Sequence, residues 1–244
     1  MFALYLKEIN TFLNSLIGYI VMVVFLLAVG LFMWVFPGGE FNVLENGYAN
    51  IDGLFILGPW VFMFLIPAIT MRSFAEEKKA GTIEVLFTQP ISELKIILAK
   101  YLAGFSLVIF ALLPTLVYFY SVYNLGFPSG NIDMGGMWGS YIGMLFLGSG
   151  LVSIGIFSSS FTDNQIVAFI VAMFISFLCY AGFDSISGLA LFGKFDNIIA
   201  GLGMSSHYVA MSRGVLDTRD IIYFISLTAL FLTLTRTVLE SRKW

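Results

Sequence analysis

No Asp, Glu, Lys or Arg occurs in 9–39, 53–71, 101–132, 134–162, 164–183 or 221–235 of this chain. Uncharged runs of that length leave few architectures open. A helix needs about 20 apolar residues to cross a hydrocarbon core of roughly 30 Å, and in lipid a helix closes its own backbone hydrogen bonds. The sequence therefore predicts an all-α polytopic membrane protein, a single transmembrane domain over 1–244. Its transmembrane helices are expected near 16–36, 54–72, 97–121, 138–160, 165–184 and 220–239. The sixth is short, and Arg219 and Arg236 can snorkel from its ends.

Composition removes the soluble alternative. Hydrophobic residues make up 59% of the chain and charged residues 11%, against roughly 45–50% and about 25% in soluble domains. So few charges cannot cover a soluble surface. The single cysteine, Cys179, permits no internal disulfide and no Cys-based zinc site. The single histidine, His207, excludes a site needing a His pair from one chain, so no metal site is expected. A net charge of −3 leaves no nucleic-acid footprint, and no nucleic-acid partner is expected. Lys7 and Glu8 precede an uncharged run longer than a signal-peptide core, with no small-residue cleavage site, so the first helix is expected to be retained.

Orientation follows from the basic residues. With both termini cytoplasmic, nine lie inside (Lys7, Arg72, Lys78, Lys79, Lys95, Lys100, Arg236, Arg242 and Lys243) and three outside (Lys194, Arg213 and Arg219). The outer loop 37–53, with Glu40, Glu45 and Asp52, has no Lys or Arg, and neither has loop 122–137. The bias places the amino end in the cytoplasm.

Three segments lie outside the spans. Residues 1–15 put Phe2, Leu6, Ile9 and Leu13 on one helical stripe with Lys7, Glu8 and Asn10 off it, the pattern of a helix lying in the membrane interface. Residues 185–219 are apolar (Leu189, Ala190, Leu191, Phe192, Ile198, Ile199) but interrupted by Gly188, Gly193, Gly201 and Gly203, which predicts short re-entrant helices at the outer face. Residues 73–95 form the strongly charged inner loop. There, a short helix from Ser73 to Ala80 is expected to stop at Gly81. Thr82 is placed to cap a second helix, Pro90 to end it, and Ser92 with Glu93 to open the third span.

The stretch Phe74-Ala-Glu-Glu-Lys-Lys-Ala-Gly-Thr-Ile-Glu-Val-Leu-Phe-Thr-Gln-Pro-Ile-Ser92 resembles the signature between the second and third helices of ABC-2-type transporter permeases. Two further stretches are similar to that family: Ser212 to Asp220, leading into the last helix, and Ser158 to Gln165, joining the fourth and fifth. Within the family the chain looks most like the gliding-motility-associated permease subunits of Bacteroidetes. The resemblance implies a coupling helix that docks on a separate ABC ATPase, with Phe74, Ala75, Glu76, Glu77, Lys78 and Gly81 at the contact and Glu84 bracing the loop. It also implies a second permease chain, the same or related, and a place in the bacterial inner membrane among its lipids. No cofactor is expected in this chain; ATP and Mg would reside on the ATPase.

Competing readings have less behind them. Gly188-Leu-Ala-Leu-Phe-Gly193-Lys194 matches a phosphate-binding loop, but Phe195 stands where Ser or Thr must hold Mg²⁺. The chain is therefore not expected to be an enzyme. Glu76-Glu77 lacks the Arg and histidines of an intramembrane metalloprotease. His207 is expected at the interface beside Tyr208, and Cys179 in apolar packing. Gly135, Gly139 and Gly143 recur every four residues of one span and are expected to pack within the chain. Pro59, Pro67 and Pro114 are expected to kink the second and third spans. Tyr118, Phe119, Tyr120 and Tyr123 suit the outer aromatic belt. No acidic or basic residue is expected at mid-membrane, which argues against an ion-coupled carrier. A non-transporting scaffold for a cell-surface machine is the alternative function.

Overall fold

A computed structural model describes residues 1–37, 41–45, 47–190 and 193–241, apart from the side chains of Ile17 and Lys194. Glu40, Leu191, Phe192, Arg242 and Lys243, which enter the expectations above, lie outside the described residues. Every regular element among the described residues is helical. Five helices are long and apolar enough to cross a membrane, and a bent pair at the amino end brings the number to six.

Helix α1 (Phe2–Leu13) turns by 63° into α2 (Leu16–Trp34). Ser15 makes the corner: its hydroxyl donates to the Phe12 carbonyl and accepts from the Gly18 amide, so one side chain serves both helix ends. The stripe expected on α1 is split. Leu4, Glu8, Ile9 and Phe12 face the protein and pack on α6 (Glu93–Leu112), while Phe2 and Leu6 are exposed. Two apolar faces are thus at work, one for protein and one for lipid, and Glu8 lies on the inward one.

Helix α3 (Asp52–Thr70) runs through Met71 into α4 (Arg72–Lys79) as one 28-residue helix. Pro59 and Pro67 sit inside α3 without interrupting it. At Pro114 the third span tightens into a 3₁₀ turn (Leu113–Thr115) between α6 and α7 (Leu116–Leu125), within one 33-residue helix from Glu93 to Leu125. Between α4 and α6 lies α5 (Ile83–Thr88).

The long helix α8 (Met134–Ser160) is the centre of the bundle, in contact with α3, α4, α6, α9 (Gln165–Phe177), α12 (Met204–Ser212) and α13 (Thr218–Glu240). Its glycines permit these approaches. Gly143 faces the Tyr208 ring, Gly148 faces Val108, and Gly139 meets the backbone at Met211 and Gly214, all within the chain. Between helices in lipid, such close backbone approach is a main source of attraction. Aromatic pairs add to it: Phe25 on Phe62 and Phe55 on Tyr141, each with ring centroids 5.0 Å apart. Tyr118 is not simply a belt residue, because its hydroxyl donates to the Leu26 carbonyl at 3.0 Å and ties α7 to α2.

After α9 the chain passes through a π-helical turn (Leu178–Gly182) holding Cys179, then α10 (Phe183–Gly188), a 3₁₀ turn (Gly193–Phe195), α11 (Asp196–Ala200) and α12. Ser187 donates to the Asp196 carbonyl and closes α10 onto α11. The segment is therefore a set of short helices, with Leu189, Phe195, Ile198 and Leu202 exposed. Gly188 ends α10, and no strand precedes it among the described residues, so the strand–loop–helix setting of a phosphate-binding loop is missing there.

Candidate functional site

The charged end of the bundle is built around α4. This helix ends in two capping bonds: the Thr82 amide donates to the Glu77 carbonyl at 2.9 Å and the Gly81 amide to the Lys78 carbonyl at 3.1 Å. Gly81 adopts φ +68°, a conformation that costs a residue with a Cβ roughly 1–2 kcal/mol. Nothing lies within 4 Å of where its Cβ would be, so backbone conformation, not space, selects glycine here. Thr82 does not cap α5 as expected; its hydroxyl turns back to the Glu77 carbonyl at 3.3 Å. Ser92 likewise makes no side-chain cap on α6. The result is a tight helical hairpin, α4–α5, projecting from the span.

The seven residues named for docking fall into different environments. Phe74 and Ala75 are fully buried, because α4 packs that side against α8 and α9. Their burial makes them anchors of the hairpin within the chain, while the exposed residues form its outer surface. Glu77 and Lys78 are half-buried. Glu76, Gly81 and Glu84 are exposed, together with Lys79, Ala80, Thr82 and Val85.

Glu77 points inward to Lys100, which the sequence analysis counts only among the inner basic residues. Lys100 on α6 is 1% exposed at its side chain, and its Nζ lies 2.9 Å from Glu77 Oε1 and 3.0 Å from Glu8 Oε1. Lys7 Nζ sits 3.7 Å and 3.8 Å from the same two oxygens, so two cations and two carboxylates alternate. The Phe74 ring lies 5.1 Å below the Lys100 ammonium. One buried charge thus joins α1, α4 and α6. A buried ion needs such partners, since its desolvation costs several kcal/mol. The joint borders a cavity of about 180 Å³, also lined by Arg72, Ser73 and Glu76.

The far side of this end carries a second cleft of about 300 Å³ between α5, the start of α6 and the end of α13, lined by Phe87, Glu93, Arg236 and Glu240. Arg236 Nε pairs with Glu240 Oε1 at 2.7 Å. Helices α1 and α13 therefore both reach the end of the bundle that bears the hairpin.

The ABC-2 family transporter proteins match residues 37–238 of this sequence. The chain belongs to that family. No curated protein matches it at a significant level. As an ABC-2 family member it is a membrane permease component of an ABC exporter, and the match runs through the hairpin and every helix from α3 to α13.

At the opposite end, His207 is not merely an interfacial neighbour of Tyr208: its Nδ1 lies 2.7 Å from the buried Asp220. Tyr208 points the other way and donates to the Phe55 carbonyl at 2.7 Å. Burial, and secondly Tyr180 nearby, raises the Tyr208 phenol well above its ordinary range. Sequence reasoning missed both Lys100 and the His207–Asp220 pair. One signal was available for Lys100, a single charge next to an otherwise apolar run.

Proposed function

We propose that the α4–α5 hairpin is the surface through which this permease couples to a separate ABC ATPase that carries the ATP and Mg. The observation that supports it most is the hairpin's two-sided construction. Its tip (Glu76, Lys79, Gly81, Glu84, Val85) is exposed, with Val85 62% exposed on a charged surface. Its root is clamped to α1 and α6 through Lys100. A rigid element with a free tip and an anchored root transmits a push instead of absorbing it. Nucleotide-driven closure of two ATPase subunits beneath the membrane would then move α4, and α3 with it, because the two form one helix.

A second permease chain, identical or related, completes the path in this reading. The complex sits in the bacterial inner membrane with both termini cytoplasmic, and the short helices at 185–219 dip into the outer leaflet. The nine-to-three basic distribution supports that orientation, as does the meeting of α1 and α13 at the hairpin end. The signature stretches support reading the permease as gliding-motility-associated, of the Bacteroidetes type, in which case the exporter would serve cell-surface machinery.

The docking test uses Glu76→Lys with Glu84→Lys, both on the exposed tip. If the tip carboxylates meet basic groups of the ATPase, reversing both charges brings like charges together at a cost of several kcal/mol. Co-purification of the ATPase subunit should be lost while membrane abundance stays normal. Unchanged ATPase recovery would remove the hairpin from the interface. Glu77 is left alone, because its reversal would break the Lys100 joint and confuse folding with docking.

Sidedness has its own check. In a Cys179→Ser background, Val85→Cys should resist a membrane-impermeant maleimide in intact cells, and Val215→Cys (70% exposed) should react. Labelling at Val85→Cys from outside would invert the topology.

A further inference from the structure

His207 is held on three sides. Nδ1 lies 2.7 Å from Asp220 Oδ1 on α13, and Nε2 lies 2.9 Å from the Gly201 carbonyl oxygen in the turn before α12. The ring stacks on Tyr223, with centroids 3.9 Å apart and planes 20° from parallel. The Tyr223 hydroxyl in turn donates to the Leu202 carbonyl at 2.7 Å. Together these contacts join α13 to the turn at 201–203 and to α12.

The chemistry of the partners fixes the protons. A carbonyl oxygen only accepts, so Nε2 must carry a proton. A neutral imidazole has just one N–H, which would leave Nδ1 bare against a carboxylate oxygen at 2.7 Å. Two lone pairs at that distance repel. The geometry is satisfied only when the pair holds one further proton, on Nδ1 or drawn across the short contact to Asp220. With its side chain 9% exposed, Asp220 needs this partner.

We infer that His207 is a positioning residue: its doubly donating ring clamps α12 against α13 while the pair keeps that proton, and releases α12 when the proton leaves. The consequence lies on the other face of α12. Tyr208, Val209 and Ser212 form one wall of a cavity of about 370 Å³ at this end of the bundle, and Asp52, Ile56 and Trp60 of α3 form the facing wall. The clamp therefore sets the width of that cavity. It works by local chemistry at the end of the bundle away from the hairpin, and it stands whether or not the hairpin docks an ATPase.

The titratable groups around the joint are few. Helix α13 contributes Asp220 and Tyr223. Helix α10 contributes Asp184, 3.6 Å from where a Gly203 Cβ would lie and electrostatically coupled to Tyr223. The π-helical turn contributes Cys179 and Tyr180, and α12 itself Tyr208. Helix α8 meets α12 with glycines and a serine, Ser140, which donates to the Ser212 carbonyl. Of these groups, the His207–Asp220 pair is the one whose observed contacts require a proton beyond that of a neutral imidazole.

The test reads cavity access in purified protein held in lipid nanodiscs. In a Cys179→Ser background, Val209→Cys reports from the cavity wall and Val215→Cys from the exposed loop beyond α12. Maleimide reaction rates are followed from about pH 6 to about pH 9, across the range in which histidine changes charge. The ratio of the two rates removes the general rise in thiolate. With His207 in place the ratio should climb several-fold as the pH rises. With His207→Gln, and separately with Asp220→Asn, it should lose its pH dependence, whereas Tyr223→Phe should keep it. A flat ratio with His207 intact overturns the inference, and so does an undiminished pH response in either His207→Gln or Asp220→Asn. If one of those two variants does not fold, the other decides.

Discussion

Lys100→Met should cost the permease about 3–5 kcal/mol, the range for removing one partner of a buried ion pair. Methionine has nearly the length of lysine and fills the same channel over Phe74, so packing changes little. The charge is what goes. Glu8 and Glu77 then face each other with Lys7 as their remaining cation, which is 60% exposed and nearly 4 Å away. The expected result is a large drop in the unfolding midpoint in detergent and reduced membrane abundance. A loss below about 1 kcal/mol would mean that water reaches the joint and screens it. Adding Glu8→Gln and Glu77→Gln to Lys100→Met should recover most of the loss, since a neutral set of similar volume replaces a buried ionic one at little net cost. That recovered protein also separates stability from coupling. It should fold and still bind the ATPase through the exposed tip.

The spans were legible because lipid imposes one rule on every residue of a run. Absence of charge over about 20 residues locates a helix whatever its neighbours are. Gly81 was legible for a similarly local reason: the residue after a charged helix that must adopt positive φ is usually glycine. What the sequence left hidden depends on contacts across the fold. Glu8 and Lys100 are 92 residues apart, as are Tyr118 and Leu26, and no period or spacing links them. The α1 stripe was misread for a related reason. An interfacial helix has one side for lipid and another for protein, and hydrophobicity marks both alike. Phe74 and Ala75 carry the family signature, yet they are buried, because a signature preserves the anchor of a docking element as readily as its contact surface. The Asp220 carboxylate lies at the start of a span, but that it meets the lone histidine required the turn at 201–203 to be placed.

Gly139→Ala should cost about 2–3 kcal/mol, the cost of overpacking a site that cannot give way. The added Cβ would overlap the Met211 carbonyl oxygen and lie 2.9 Å from Gly214 Cα and 3.1 Å from Gly214 N. All three are backbone atoms. Gly214 is itself fixed at φ +82°, and a Cβ there would lie 2.8 Å from the Gly135 carbonyl carbon, so each backbone blocks the other's retreat. The methyl can be accommodated only by moving the end of α12 and the turn at 213–214 away from α8. Gly58→Ala supplies the comparison. Its Cβ would also overlap an atom, but that atom is the terminal methyl of Met144, which can swing aside. Alanine in mid-helix gains up to about 1 kcal/mol over glycine, so Gly58→Ala should be close to neutral. Unfolding midpoints of the two variants, measured side by side in one detergent, test the distinction between backbone and side-chain contact. Equal losses would mean that α12 rides on α8 more loosely than the glycine contacts require.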